Sequence, residues 1–159
     1  MGSLSLPASG TIYVDTAPII YTVERHPDYE SLLLPLWAEA DARSLTVVTS
    51  ELTLLETLVK PLRDNNQPLV DDYEKLLGAT SISMRPITPN ILRAAARIRA
   101  TTSIKTPDAI HAATALSIGC AQFITNDADY GKLRSLPFAL CSNNPQSEIR
   151  NPKFLPRHP

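Results

Sequence analysis

The chain is poor in cysteine, in excess charge and in long apolar runs. Two cysteines occur among 159 residues, Cys120 and Cys141, both inside apolar runs and neither in a CxxC or Cys/His spacing. Neither a zinc site nor a disulfide framework is expected, and a reducing cytoplasm fits best. No apolar stretch approaches the ~20 residues that span a bilayer. The residues before Thr11 lack the basic patch and apolar run of a signal peptide, so neither insertion nor secretion is expected. Lys+Arg 15 against Asp+Glu 16 leaves a formal net charge of -1. Bulk charge therefore cannot hold a polyanion, and any nucleic-acid contact needs a local patch. What the chain does have is 43% hydrophobic and 19% charged residues, the balance of one globular domain. A domain of this size hides roughly 70% of the surface its unfolded chain exposes, so its core needs no metal or disulfide staple.

Short β-rich runs alternate with helical periodicity. The runs are Thr11–Val14, Leu45–Thr49, Ser81–Met84, Gln122–Thr125 and Phe138–Ser142. Helical segments are expected over Asp15–Glu24, Asp28–Ala42, Ser50–Arg63, Leu69–Gly78, Pro89–Thr101 and Pro107–Ile118. This alternation predicts an α/β fold in three α/β/α layers, around a mostly parallel sheet of about five strands. Thr88-Pro89 and Thr106-Pro107 each read as an N-cap hydroxyl followed by proline at the first helical position. Residues 1–10 read as a flexible leader and 11–142 as the domain. Residues 143–159 hold four of the 14 prolines and read as a tail, either disordered or used in assembly.

In open α/β sheets, ligands sit outside the carboxyl ends of the strands, and several residues there are acidic. Asp15 follows the first run and Asp127 the fourth, so both project from one sheet edge. Within the helix starting near Ser50, Leu52, Leu55, Leu58, Val59 and Leu62 form an apolar stripe expected to face the core. Glu56 lies about 40° past Leu52, on the edge of that stripe. Glu51, in the first turn, is accounted for by the helix macrodipole, so Glu56 is the preferred site residue. Asp108 also starts a helix, but it shares a face with His111, Ala112 and Ala115, and those small residues bring the helix close to the sheet. Carboxylates gathered in a partly buried site repel unless a cation holds them. Oxygen donors without a His/Cys cage favour Mg²⁺ or Mn²⁺. Such an ion can lower the pKa of a bound water, and four carboxylates support one ion or two. His111, one turn from Asp108, reads as a packed or supporting histidine and not as a base. Tyr13 and Tyr21 read as core residues with polar tips.

Four stretches together carry a resemblance. Ile12-Tyr13-Val14-Asp15-Thr16-Ala17, Thr49-Ser50-Glu51-Leu52-Thr53-Leu54-Leu55-Glu56, Thr106-Pro107-Asp108-Ala109-Ile110-His111 and Phe123-Ile124-Thr125-Asn126-Asp127 occur in that order. In this the chain resembles the PIN-domain nucleases, particularly the VapC-type ribonuclease toxins, over residues 11–142. The resemblance implies that Asp15, Glu56, Asp108 and Asp127 are the catalytic, metal-ligating quartet, with Asp129 as an auxiliary ligand. It also implies a metal-dependent endoribonuclease, the toxin of a toxin–antitoxin pair, with a homodimer and an inhibitory antitoxin as partners. Ala17 departs from the pattern, since many relatives carry Asn or Ser there.

Thr16, Thr125 and Asn126 are candidates to orient the acids or to touch a phosphate. Arg85, Arg93, Arg97, Arg99 and Lys105 precede Asp108 with no intervening acid. Arg93 and Arg97 share a helix face and could hold RNA phosphates, or be a solvated face. Two rival readings are a non-catalytic PIN-fold module binding RNA or protein, and a phosphatase or phosphotransferase. The second would want another acid two residues after Asp15, where Ala17 stands.

Overall fold

The computed structural model describes residues 4–141. Among the described residues five strands form one sheet: β1 (Gly10–Val14), β2 (Leu45–Ser50), β3 (Ile82–Arg85), β4 (Gln122–Thr125) and β5 (Phe138–Leu140). Their order is β3-β2-β1-β4-β5, and every neighbouring pair is parallel. The helices are α1 (Thr16–Val23), α2 (Glu30–Asp41), α3 (Glu51–Arg63), α4 (Gln67–Leu77), α5 (Pro89–Thr101) and α6 (Thr106–Ile118), with a 3-10 helix over Ala128–Lys132. The expected α/β architecture is therefore the observed one, and Ser142 and the tail lie outside the described residues. Ahead of β1, Leu4 and Leu6 pack against the core, and the Gln122 amide donates to the Ser5 carbonyl at 2.9 Å.

Period-two alternation assigns the strand side chains to two layers. Ile12, Val14, Val47, Ile82 and Ile124 face the layer made by α1, α2 and α4, where Ile19, Leu33, Leu36, Tyr73 and Leu77 are buried with them. Tyr13, Val48 and Phe123 face the other way, against Ala112 and Ala115 of α6. Helix α6 is buried from Ala109 to Ala115, because alanines let its axis lie close to the sheet. It then pairs with α5 through Ile91, Ala95, Ala109 and Ala113.

Helix starts obey local chemistry. The Thr88 hydroxyl accepts from the Ile91 N–H, as expected of an N-cap before Pro89. At α6 the cap is Lys105 instead of Thr106, because the Lys105 carbonyl already accepts the first helical bond, from Ala109. Helix α2 starts two residues later than Asp28, since the backbone turns through His26–Tyr29 first. Helix α4 starts two residues before Leu69, where the Asn66 side chain caps it and Pro68 occupies the first turn.

The inward face of α3 is not the leucine stripe. Thr53, Thr57 and Pro61 are buried, while Leu55, Val59 and Leu62 are 61%, 44% and 56% exposed. The threonines win because Thr53 finds hydroxyl partners at the sheet edge, bonding Thr49 at 2.8 Å and Thr16 at 3.1 Å. Leu54 and Leu58 on one flank, and Leu52 on the other, supply the apolar packing. Leu55→Ser is therefore expected to change stability by less than about 0.5 kcal/mol. Leu36→Ala, in the closed layer, should cost about 2–5 kcal/mol. Urea unfolding of both variants checks the orientation of α3, and comparable losses would contradict it.

Candidate active site

The chain lays β1, β2 and β3 outward on one side, then crosses to place β4 and β5 on the other. That reversal opens a crevice at the carboxyl ends of β1 and β4, the usual ligand position in such sheets. Asp15 directly follows β1, and its N–H donates to the Ile124 carbonyl at 2.9 Å, which sets it beside β4. Asp15 is only 7% exposed, yet its carboxylate is well served. One oxygen accepts from the Thr16 N–H at 2.8 Å, capping α1, and the other from the Thr125 hydroxyl at 2.8 Å. The same Thr125 hydroxyl oxygen accepts the Asp127 N–H at 3.0 Å, so one threonine fixes an acid on each strand end. Asp127 in turn caps the 3-10 helix, accepting from the Asp129 N–H at 2.9 Å.

Asp108 reaches this edge from the first turn of α6. Burial, together with the negative charges of Asp15 and Asp127, holds its carboxyl above the usual carboxylate range. The Tyr130 hydroxyl donates to Asp108 Oδ1 at 3.2 Å. Burial, and then Asp15 and Asp108, push the Tyr130 phenol well up, which keeps it a donor.

Glu56 closes the group from α3. Its Oε1 accepts from the Thr16 hydroxyl at 2.9 Å and from His111 Nε2 at 2.7 Å. Burial would raise the Glu56 carboxyl, but the hydrogen bond and charge of His111 and the Thr16 bond bring it below its ordinary value. His111 is 1% exposed, and Nε2 also stands 3.5 Å from Asp15 Oδ1. On the far side of the ring, the Tyr13 hydroxyl stands in hydrogen-bonding distance of Nδ1, at 2.6 Å. Burial, then the charge of Asp15, pushes the Tyr13 phenol well above its usual value, so it keeps its proton.

The structure thus ties Asp15, Glu56, Asp108 and Asp127 into one linked edge through Thr16, Thr125, Tyr130 and His111. Among the described residues, no three His, Cys, Asp or Glu side chains stand close enough to hold one ion. Glu51 is exposed at the start of α3, away from these contacts. Asp129 is exposed and sits 3.5 Å from Lys132. Asn126 turns to the Tyr21 hydroxyl, donating at 2.7 Å, and touches none of the four acids. Tyr21 is half-buried and stacked on Tyr29. Arg93 and Arg97 are exposed on α5, Arg93 bonding Asn90 at 3.0 Å. His111 was readable from sequence as a supporting residue but not as a bridge between Tyr13 and Glu56, and the roles of Thr53 and Tyr130 were not readable at all. The Asp108–His111 spacing of three residues on one helix face was the available signal.

Comparison with known proteins bears on this edge. The family model described as PIN domain matches residues 12–136. No curated protein matches the chain by sequence. Among solved structures, the fold is similar to a chain in the DNA-bound VapBC of Salmonella typhimurium, with TM-score 0.68, 16% identity, and 83% of this chain and 98% of that one covered. A chain of the promoter-DNA complex of VapBC2 from Rickettsia felis gives TM-score 0.67 at 15% identity, covering 82% and 98%. VapBC-1 from nontypeable Haemophilus influenzae gives 0.63 at 19%, again covering 82% and 98%.

The opposite pKa directions of Glu56 and Asp108 predict opposite effects on the metal-free protein. Glu56, lowered on folding, contributes stability that is present above its unfolded pKa and lost as pH falls through the folded one. Asp108, raised on folding, favours the fold below its unfolded pKa, and that support is lost as pH rises through the folded one. At pH 7 in EDTA, Asp108→Asn should melt at or above wild type, while Glu56→Gln should lose about 1 kcal/mol of charge-assisted bonding. Thermal melts giving the reverse order would contradict the surroundings assigned to Glu56 and Asp108.

Proposed function

The chain belongs to the PIN-domain family, and from that premise we propose that it is a metal-dependent endoribonuclease of the VapC toxin type. The observation that carries this reading is the strained charge at the sheet edge. Asp108 is held above its usual range by its own burial and by Asp15 and Asp127, a cost that a cation would relieve. The donors suit a hard divalent ion, since the acids offer oxygen only and the adjacent histidine is turned to Glu56 and Tyr13. Asp15, Glu56, Asp108 and Asp127 would hold it, with Asp129 as an outer carboxylate, and binding would have to draw them together from the metal-free arrangement. Bound there, Mg²⁺ or Mn²⁺ supplies an activated water and neutralises charge at the scissile phosphate.

The protein's own part is orientation. Thr125 fixes Asp15 and Asp127 relative to one another, Thr16 fixes Glu56, and Tyr130 fixes Asp108. Asn126, held by Tyr21, sits between Thr125 and Asp127, where its amide can meet a phosphate oxygen. Arg93 and Arg97 hold the RNA backbone.

The assigned partners are a second copy of the chain and a small antitoxin. Support comes from the similar folds found in VapBC complexes and from the exposed Leu55, Val59 and Leu62 on α3. The nuclease unit is assigned to residues 11–142, and its place to the cytoplasm. No helix among the described residues is long and apolar enough to cross a membrane. A second reading, a non-catalytic PIN-fold module, is favoured by the lack of three side chains close enough for one ion among the described residues.

Purified protein incubated with mixed RNA is expected to cut it in Mg²⁺ or Mn²⁺ and not in EDTA, with Asp15→Asn and Asp127→Asn both inactive. Cleavage by either variant would sink the assignment, and an inactive wild type that still binds RNA would favour the module. Arg93→Ala with Arg97→Ala should weaken binding to all sequences alike, flattening the slope of log affinity against log salt by ~0.7 for each lost contact. An unchanged slope would assign these arginines to solvent.

A further inference from the structure

We propose that His111 is a positioning residue, which holds Glu56 by one carboxylate oxygen so that the other stays free for a cation, while Tyr13 fixes the tautomer that does so. The proposal rests on the metal reading above and goes beyond it, because His111 touches neither cation nor substrate in its role. Both bonds to Glu56, from His111 Nε2 at 2.7 Å and from the Thr16 hydroxyl at 2.9 Å, fall on Oε1. Two donors on one oxygen pin the rotation of the carboxylate and leave the ligating capacity of Oε2 unspent.

The neutral ring can serve this end in one tautomer only. Nε2 faces the carboxylate oxygens of Glu56 at 2.7 Å and Asp15 at 3.5 Å and the Thr16 hydroxyl at 3.2 Å; because that hydroxyl gives its own proton to Glu56, Nε2 must carry one to bond the carboxylate. The Tyr13 hydroxyl, donating to Nδ1 at 2.6 Å, occupies the lone pair that this tautomer leaves on the opposite side. At 1% exposure the ring is shielded from bulk solvent. Tyr13 is itself immobilised: it is fully buried, stacked on Phe123 at 5.1 Å and 4°, and edge-on to His111 at 5.9 Å and 70°. Orientation thus passes from the central strands β1 and β4, through the Tyr13 ring, to α6 and on to the acid of α3.

A packing role alone would not require this arrangement. An apolar side chain would fill the same space without the cost of burying an imidazole, which is repaid only when both nitrogens are satisfied. Metal-ligating groups held by an outer hydrogen bond typically lose ~10–100-fold in metal affinity when that partner is removed.

The test measures Mn²⁺ binding to the full chain by calorimetry, beside the ¹⁵N signals of the His111 ring in the metal-free protein. Glutamine places an amide nitrogen near the reach of Nε2, and asparagine near that of Nδ1. The expected result is ~10–100-fold weaker Mn²⁺ binding in His111→Leu and His111→Asn, with rescue in His111→Gln. Wild-type spectra should show the proton on Nε2, and Tyr13→Phe should both mix the tautomers and weaken Mn²⁺ binding. Wild-type affinity in the Leu or Asn variant, or a proton on Nδ1, overturns the proposal and leaves the nuclease reading standing. Should the Leu and Asn variants not fold, the wild-type spectrum and Tyr13→Phe decide it, since unchanged tautomer and affinity in Tyr13→Phe overturn it equally. A wild type that binds no Mn²⁺ overturns the cation reading and the proposal together.

Discussion

Everything at this edge depends on one constraint: carboxylates delivered to the same end of a parallel sheet repel each other, as Asp15 and Asp127 act on Asp108. The topology makes this unavoidable. Reversal of strand order between β1 and β4 sets Asp15 and Asp127 on neighbouring strand ends, and helices α3 and α6 start from the same edge and bring Glu56 and Asp108. In the metal-free protein the repulsion appears in the raised carboxyl of Asp108, to which Asp15 and Asp127 contribute after burial.

Side-chain donors hold the arrangement against that repulsion. Thr125, Thr16, Tyr130 and His111 each give a hydrogen bond to an acid, and the three hydroxyls among them add no opposing charge. A lysine or arginine in their place would pair with the carboxylates and compete with a cation for them. Hydroxyls and a buried imidazole restrain direction while leaving the site negative. The same need explains α3, whose threonine face is turned inward to join the hydroxyl chain, while Leu55, Val59 and Leu62 remain outside.

The sheet and its helices were legible because parallel strands buried on both faces read as apolar runs, and each helix carries its own start signals. The acids at strand ends were legible for the same reason, since Asp15 follows directly where its run stops and Asp127 comes two residues after its own. The face of α3 was not. Periodicity weighs Leu against Thr by hydrophobicity, whereas the fold weighed a threonine that could bond Thr49 and Thr16 at a crowded polar edge. His111 was legible as a buried neighbour of Asp108, but its partners Tyr13 and Glu56 lie 98 and 55 residues away in sequence, beyond any local pattern.

The central proposal is that a divalent cation binds at this edge and draws the four acids together from their metal-free arrangement. Anomalous diffraction at the manganese edge, from crystals of the wild-type chain grown with Mn²⁺, tests it most directly. An anomalous peak is expected in the crevice between the carboxyl ends of β1 and β4, bonded to Asp15 and to at least one of Glu56, Asp108 and Asp127. A peak ligated elsewhere on the surface, or a crevice without manganese at saturating concentration, would contradict it.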